Sequence, residues 1–280
     1  MKILGIVTAY YPNTEEFIRN IKTYVDGLDQ LIIWDNSIEN NPDFDEAICQ
    51  LNIPTISIRR SGNNDFLAKP FNTCIKEILA TDYTYVLTMD QDSYFEGDGF
   101  YRYLQKVAAN SDPKVMLFCP AKTENTFIDL EEVEESNTIT SGTIYKLEIF
   151  EKIGFFREDF LIYMIDIEFG MRVKKHGYKI LCYPRILLNH FTGYAKTNKL
   201  GWRVDNYSAQ STYYIIRNVI LNWSLYPDKF SRKEKLTFYR YKVGYRTIKI
   251  FLEPKPIKKL KAIYLGVFHG ITGKSGVYTI

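Results

Sequence analysis

The chain has 280 residues, of which 46% are hydrophobic and 25% charged, and its formal net charge is +3. This length allows one large or two modest domains with a substantial core, and the composition excludes a disordered or fibrous protein. The four cysteines lie far apart without a Cys-x-x-Cys spacing, which argues against a zinc site or a disulfide framework and favours a reducing compartment.

The start of the chain, residues 1–7, is apolar but too short for a signal peptide. No apolar run reaches the length of a membrane-spanning helix. The expected location is therefore the cytoplasm or a membrane surface.

The first third of the sequence alternates short apolar runs with helical patterns. Strands are predicted at residues 2–8, 30–34, 53–58 and 83–89, and helices at residues 15–25 and 71–79. This alternation predicts βαβ units, and hence an α/β fold with a mostly parallel central sheet flanked by helices.

Polar residues follow three of these strands: Thr8-Ala9-Tyr10, Asp35-Asn36-Ser37 and Asp90-Gln91-Asp92. Because the strands are predicted to be parallel, all three clusters are expected at one edge of the sheet, where open α/β sheets bind ligands. An isolated Asp-x-Asp is usually a polar turn. Its position beside two other polar strand ends favours a divalent cation that holds a diphosphate, since Mg2+ prefers a few carboxylates together with phosphate oxygens.

The second part of the sequence continues with helices predicted at residues 100–109, 147–153 and 166–175 and strands at 115–119 and 180–183. Residues 123–138 are polar and acidic, which is typical of an exposed excursion.

The end of the chain is strongly basic and aromatic. From residue 229 onward there are thirteen Lys and Arg but only two acidic residues, Glu234 and Glu253. Such a tail favours an anionic membrane surface. The alternatives are a helical pair packed on the rest of the protein and, last, a nucleic-acid surface, and we expect no nucleic-acid partner.

Seven short motifs occur in an order that resembles the family 2 glycosyltransferases of the GT-A fold, most closely their rhamnosyltransferase-like branch. The motifs are Val7-Thr8-Ala9-Tyr10-Tyr11-Pro12, Trp34-Asp35-Asn36-Ser37, Met89-Asp90-Gln91-Asp92-Ser93, Thr140-Ser141-Gly142, Asp166-Ile167-Glu168-Phe169-Gly170-Met171-Arg172, Asn189-His190-Phe191-Thr192-Gly193 and Tyr213-Tyr214-Ile215-Ile216-Arg217-Asn218.

The resemblance implies a GT-A catalytic domain over residues 1–226, with a nucleotide-binding half at about 1–95 and an acceptor half at about 96–226, followed by a helical tail at 227–280. It also implies the transfer of a sugar from a nucleotide-diphosphate donor, with inversion, to a glycan or lipid-linked acceptor in surface polysaccharide synthesis. The implied cofactor is Mg2+ or Mn2+, and the implied donor is dTDP-rhamnose, with a UDP-hexose or UDP-hexosamine as the alternative.

The resemblance also assigns roles to single residues. Asp92, with Asp90 and His190, would hold the metal, although a lone histidine is more often structural. Tyr10 would stack on the base, unless it only packs at the strand end, and Asp35 would accept a hydrogen bond from N3–H of uracil or thymine. The full set of implied donor-binding residues is Thr8, Ala9, Tyr10, Asp35, Lys69, Asn72, Asp90 and Arg217.

On the acceptor side, Asp166 aligns with the catalytic base of the family; the alternative is a helix N-terminal carboxylate that the helix dipole stabilises. Glu168 and Gly142 are expected beside the acceptor, and Glu168 could instead be solvated. The chain departs from the family pattern at Ser211 and Thr212, where relatives often have basic residues, and this departure bears on the role of Arg217.

Two other enzyme classes are disfavoured by the sequence. A dinucleotide oxidoreductase would need a Gly-x-Gly-x-x-Gly motif, and a sugar nucleotidyltransferase a glycine-rich basic loop after the first strand. A non-catalytic module that binds nucleotide sugars is the alternative from a different functional class.

Overall fold

The computed structural model describes residues 1–122, 130–190, 196–197, 203–204 and 207–280. The chain divides into two compact units. The first, here called the N-terminal unit, contains Met1–Arg157 and Asp166–Phe191, and the second, the C-terminal unit, contains Glu158–Ile165 and Thr192–Ile280. The predicted tail at 227–280 thus belongs to the same unit as the residues just before it, and the predicted boundary at 226/227 stays a prediction.

The N-terminal unit alternates strands and helices. In chain order these are β1 (Ile3–Ala9), α1 (Thr14–Ile21), β2 (Gln30–Asp35), α2 (Pro42–Gln50), β3 (Ile56–Arg59), α3 (Ala68–Ile78), β4 (Tyr85–Asp90), β5 (Ser93–Phe95), α4 (Gly99–Ala109), β6 (Val115–Lys122), β7 (Val133–Glu135), β8 (Thr143–Lys146), α5 (Glu148–Ile153), α6 (Ile165–Lys175) and β9 (Lys179–His190).

Each predicted strand and helix is present, although several begin or end at other residues than predicted. Helix α1 ends at Ile21 rather than near residue 25, and a 3-10 turn at Val25–Gly27 follows it. Strand β9 continues to His190, although the prediction ended at residue 183, before Pro184. The register between β6 and β9 shifts at this point, and such a bulge lets a strand continue past a proline.

The described strands of the N-terminal unit form one sheet in the order β3-β2-β1-β4-β8-β6-β9-β5, with β7 also paired to β9. The half β3-β2-β1-β4 is parallel, as predicted. The other half is mixed, because β8 runs antiparallel to β4 and β6, and β5 and β7 run antiparallel to β9. The sheet is therefore parallel in one half and mixed in the other. These three antiparallel strands have only three or four residues, too few to give a periodic signal.

The core of the N-terminal unit lies on the sheet. Every residue of β1 is buried. Phe17 and Phe44, on α1 and α2, contact each other edge to face with ring centroids 5.2 Å apart. Helix α1 begins where the Asn13 side chain accepts a hydrogen bond from the Glu16 backbone N–H. The helices thus hold the strand ends in fixed positions.

The C-terminal unit contains the short strands β10 (Lys196–Thr197) and β11 (Arg203–Val204), then α7 (Ala209–Leu225), α8 (Arg232–Phe238), a π-helix (Tyr239–Tyr245), α9 (Arg246–Lys249) and α10 (Pro256–Thr272). Two glycines of α10 allow it to approach α7 closely: a Cβ at Gly266 would lie 3.0 Å from the Tyr213 carbonyl oxygen, and one at Gly270 would lie 2.7 Å from Ile220 Cβ. The predicted C-terminal helical extension is therefore present. In the described parts of the chain, no helix is both long and apolar enough to cross a membrane.

Candidate active site

The strand register places three of the predicted polar clusters side by side. Thr8 pairs with Asp90, and Ala9 pairs with Asp35, at the carboxyl ends of neighbouring parallel strands. Four predicted donor-binding residues therefore lie at one edge of the sheet. This arrangement follows from the parallel order of β2, β1 and β4.

The loops that leave these strands are joined by hydrogen bonds. The Tyr10 backbone N–H donates to Gln91 Oε1 at 2.7 Å, and the Tyr11 N–H donates to Ser37 Oγ at 2.8 Å. Asn20 Nδ2 donates to the Gln91 carbonyl oxygen at 3.0 Å. The Tyr10 side chain remains 47% exposed, so a planar ligand can reach its ring.

Asp35 is buried and held by two donors. Its Oδ1 accepts a hydrogen bond from the Ser37 N–H at 2.9 Å, and its Oδ2 accepts one from Arg60 Nε at 2.8 Å. Arg60 Nη1 also donates to Asp45 Oδ2 at 2.9 Å. The orientation of the Asp35 carboxylate is therefore fixed. A carboxylate offers only acceptors, so it suits a base edge that presents an N–H.

Asp90, Asp92 and His190 form a cluster at the same edge of the sheet as Asp35. One potential ligand atom from each lies within 4.8 Å of the other two. His190 Nδ1 is 3.4 Å from Asp92 Oδ1 and 3.9 Å from Asp90 Oδ2. Two carboxylates and an imidazole suit Mg2+ or Mn2+, so the donor set fits the predicted metal. Residues 191–193 of the His190 motif lie outside the described part of the chain.

Two buried serines form a chain of hydrogen bonds between the His190 side chain and the Asp90 backbone. Ser93 Oγ is 2.8 Å from His190 Nδ1, and Ser141 Oγ donates to Ser93 Oγ at 2.8 Å. Ser141 Oγ in turn accepts from the Asp90 backbone N–H at 3.1 Å. Hydrogen bonds of this kind fix the orientation of a histidine ring.

Asp166 lies in the first turn of α6, in the same compact unit as Asp90 and Asp92. Its Oδ1 accepts a hydrogen bond from the Ile167 N–H at 2.8 Å. Burial raises the pKa of Tyr145, and the charge of Asp166 raises it further. Tyr145 is on β8, opposite Val86 of β4, the strand that ends at Asp90.

The two predicted acceptor-side residues are tightly packed. Glu168 is 2% exposed, and its two carboxylate oxygens accept hydrogen bonds from Arg172 at 2.7 and 3.1 Å. Gly142 has φ +80°, and a Cβ there would lie 2.9 Å from both Leu188 Cδ2 and Pro120 Cγ. Only glycine fits this position without strain.

Two predicted donor residues lie on α3. Lys69 Nζ pairs with Asp65 Oδ1 at 2.7 Å. Asn72 is buried, and its side-chain amide exchanges two hydrogen bonds with the Phe156 backbone, at 2.9 and 3.0 Å. Donor binding by either side chain stays a prediction.

Arg217 lies in the C-terminal unit and is fully buried. It donates to the carbonyl oxygens of Gly276 and Asp159 at 2.5 and 3.0 Å. The Gly276 N–H donates to the same Asp159 oxygen at 2.8 Å. The guanidinium is thus bound to the chain itself, and a donor-binding role for Arg217 stays a prediction.

The neighbouring Asn218 holds the same segment. Its Nδ2 lies within hydrogen-bond distance of the Phe160, Ile162 and Tyr163 carbonyl oxygens, at 2.9, 2.7 and 3.0 Å. Leu161, Tyr163 and Met164 all have positive φ, which is costly for residues other than glycine. The Arg217-Asn218 pair therefore holds a strained segment that leads directly into α6.

Sequence reasoning did not assign roles to Ser93, Ser141 or Arg60. Both serines lie inside motifs that the sequence analysis recognised, next to predicted site residues. Arg60 follows β3 directly, and a polar residue after a fourth strand of the parallel half was the signal that could have identified it.

Comparisons with known proteins agree on one fold and one class of enzyme. No protein-family profile matches the sequence. The dTDP-rhamnosyl transferase RfbF of Shigella flexneri is 22% identical over 295 residues, covering 98% of this chain and 97% of that protein.

Three solved structures are similar to the model's fold. GalNAc-T7 with UDP, GalNAc and Mn2+ has a TM-score of 0.62 at 10% identity; the match covers 85% of this chain and 50% of that chain, so this chain spans about half of it. The mannosyltransferase PcManGT of Pyrobaculum calidifontis, with GDP-Man and Mn2+, has a TM-score of 0.57 at 14% identity, covering 97% and 75%. S. aureus TarS 1-349 with UDP-GlcNAc has a TM-score of 0.50 at 14% identity, covering 100% and 93%.

The solved structures establish the fold, and the full-length likeness in sequence adds the class of reaction. The predicted GT-A fold and the predicted transferase activity are confirmed. The chain has the fold of the GT-A nucleotide-sugar glycosyltransferases, and over its full length its sequence is similar to that of a rhamnosyltransferase.

Proposed function

We propose that this chain is an inverting family 2 glycosyltransferase that moves rhamnose from dTDP-rhamnose to a glycan or lipid-linked acceptor. The observation that carries the proposal is the cluster of Asp90, Asp92 and His190 next to the strand end that bears Asp35. This edge of the sheet offers acceptors for a base and ligands for a metal diphosphate. The name of the Shigella relative supports the choice of donor.

In the donor complex that we propose, Tyr10 stacks on thymine and Asp35 accepts a hydrogen bond from its N3–H. Thr8 and Ala9 line the base through their backbone, and Lys69 and Asn72 complete the donor half. Asp90, Asp92 and His190 would hold Mg2+ or Mn2+. When bound, the cation would offset the charge of the diphosphate leaving group.

Asp166 acts as the general base in this proposal. The acceptor hydroxyl oxygen forms a bond to the anomeric carbon while the bond from that carbon to the diphosphate oxygen breaks. Asp166 takes the hydroxyl proton and later releases it to solvent. A single displacement inverts the configuration and yields the glycoside and the nucleoside diphosphate. Glu168, through its ion pair with Arg172, and Gly142, through the close packing of its turn, shape the acceptor side of the site.

A thermal-shift panel tests the donor assignment. With Mn2+ present, we expect dTDP-rhamnose at about 100 times its Kd to stabilise the protein by about 2.7 kcal/mol, or roughly 5–10 °C. UDP-hexoses and GDP-mannose should give smaller shifts. A larger shift with a UDP-sugar would favour the alternative donor class, and a larger shift with GDP-mannose would contradict a pyrimidine-nucleotide donor.

The hydrogen-bonded serines provide a second test, on metal binding. Ser93→Ala should weaken Mn2+ binding about 10-fold, because His190 loses the partner that orients its ring. Titration of the free protein with Mn2+, followed by electron paramagnetic resonance, measures this effect without turnover. Ser57→Ala is the matched control, since Ser57 Oγ is a buried hydroxyl of the same sheet without a hydrogen-bond partner among the described residues. If both variants bound Mn2+ with equal affinity, Ser93 would not orient His190 for metal binding.

We place this reaction at the inner face of the cell membrane, in surface polysaccharide synthesis. The support is the basic and aromatic composition of residues 229–280, which suits a surface of anionic lipids. An acceptor on a lipid carrier would be presented at such a surface.

A further inference from the structure

Helix α10 has two opposite faces. One face is buried in the C-terminal unit and contains Ala262, Ile263, Gly266, His269 and Gly270. The other face exposes four large apolar side chains: Ile257 at 70%, Tyr264 at 56%, Phe268 at 60% and Ile271 at 65%. Their spacing of seven, four and three residues places them within about 60° of arc at 3.6 residues per turn. They therefore form one continuous apolar stripe, which we call the α10 stripe.

A stripe of this kind needs a partner. Single exposed apolar residues are common, but contiguous patches mark interaction surfaces. The close packing of Gly266 and Gly270 on α7 fixes which face of α10 points outward. The α10 stripe is thus a stable property of the folded unit rather than a face that packing could cover by rotating the helix.

The charges around the α10 stripe indicate the chemistry of the partner. Residues 255–280 contain five lysines and no Asp or Glu. Lys258 and Lys261 are exposed on α10, and Lys261 lies beside the stripe, about 20° beyond Phe268 at 3.6 residues per turn. The surface is therefore apolar along its centre and positively charged beside it.

The acidic residue nearest to α10 in the sequence, Glu253, does not neutralise this surface, because it is buried and paired. Glu253 accepts hydrogen bonds from Arg246 Nη1 at 2.8 Å and from Lys259 Nζ at 2.7 Å, and all three side chains are at most 7% exposed. The outward-facing charge on α10 is thus entirely positive.

We propose that the α10 stripe lies in the headgroup region of an anionic lipid bilayer, with Tyr264, Phe268 and the two isoleucines inserted and Lys258 and Lys261 contacting lipid phosphates. Helices with an apolar face and flanking lysines bind in this way, parallel to the membrane plane. The inference names the surface by which the proposed enzyme would meet its membrane. It depends only on the C-terminal unit, so it can fail without affecting the chemistry proposed above.

Flotation of the full chain with vesicles tests this surface. We expect binding to phosphatidylcholine vesicles that contain phosphatidylglycerol and little binding to phosphatidylcholine alone. Phe268→Ser with Ile271→Ser should weaken binding by on the order of 100-fold, because two apolar side chains lose their burial in lipid. Lys258→Gln with Lys261→Gln should weaken it about 30-fold, at two surface cations. Tyr101→Ser, at a tyrosine of the N-terminal unit that is 65% exposed, is the matched control and should change nothing.

Other outcomes would overturn the proposal. One is unchanged flotation of both double variants, and another is equal binding to neutral vesicles. A third is that the unmodified chain self-associates, and that the Phe268→Ser, Ile271→Ser double variant sediments as a monomer but still floats with the vesicles. Circular dichroism and thermal unfolding of each variant exclude misfolding. Metal-dependent donor hydrolysis by the same variants, measured in solution, separates a failure of this surface from a failure of the proposed function.

Discussion

The Asp166→Asn enzyme is expected to transfer sugar roughly 100- to 10,000-fold more slowly than the unmodified enzyme, with donor affinity nearly unchanged. The amide keeps the shape of the side chain but cannot take the proton of the acceptor hydroxyl. The measurement is kcat and KM for transfer, together with the Kd of the donor by calorimetry. A fall in kcat with constant donor Kd is the signature of a lost base.

Asp43→Asn is the control for this substitution. Asp43 is also a first-turn carboxylate, on α2, and it is exposed. Its replacement removes a helix-dipole interaction of about 0.3–1 kcal/mol and should leave turnover unchanged. If Asp166→Asn weakened donor binding and left kcat intact, Asp166 would belong to the donor site instead.

Asp92→Asn should abolish both transfer and the slower hydrolysis of the donor. The substitution removes one of two carboxylates from the cluster, so Mn2+ affinity should fall by more than the 10- to 100-fold that typically follows loss of an outer hydrogen-bond partner. Excess Mn2+ should restore part of the activity, and a chelator should inactivate the unmodified enzyme reversibly. Both are measured by release of the nucleoside diphosphate.

Asp98→Asn is the matched control for the metal site. Asp98 follows β5, in the same unit, and its side chain is 69% exposed and pairs with Arg102. It should leave metal affinity and turnover unchanged. Full activity of Asp92→Asn in the presence of a chelator would mean that the cluster holds no catalytic metal. Absence of any turnover in the unmodified chain, with tight donor binding, would favour the binding-module alternative.

The donor half of the site could be predicted from the sequence because each signal there is local. A buried strand that ends in Asp90-Gln91-Asp92 reads directly from an apolar run with a polar stop. The parallel order then follows from short strands separated by helices. The predicted alignment of Thr8, Asp35 and Asp90 therefore needed no knowledge of contacts between distant segments.

The rest of the site depends on such contacts. His190 reaches Asp92 because β9 pairs with β5 in a register that opposes His190 to Ser93. That pairing requires β9 to pass Pro184, where the sequence predicts an end. Arg217 is a comparable case. The motif shows an arginine in a helix, but it does not show that the carbonyl oxygens of Gly276 and Asp159 accept hydrogen bonds from it.

Residues 276–278 are as much a part of the folded enzyme as any helix. The Tyr278 N–H donates to Tyr214 Oη at 3.1 Å, and Gly276 binds both Arg217 and Asp159. A purification handle fused after Ile280 would disturb these hydrogen bonds. Because Gly276 and Arg217 both bind Asp159, the disturbance would extend to the strained segment that precedes Asp166. Handles for expression therefore belong at the amino end, where Met1 is 54% exposed.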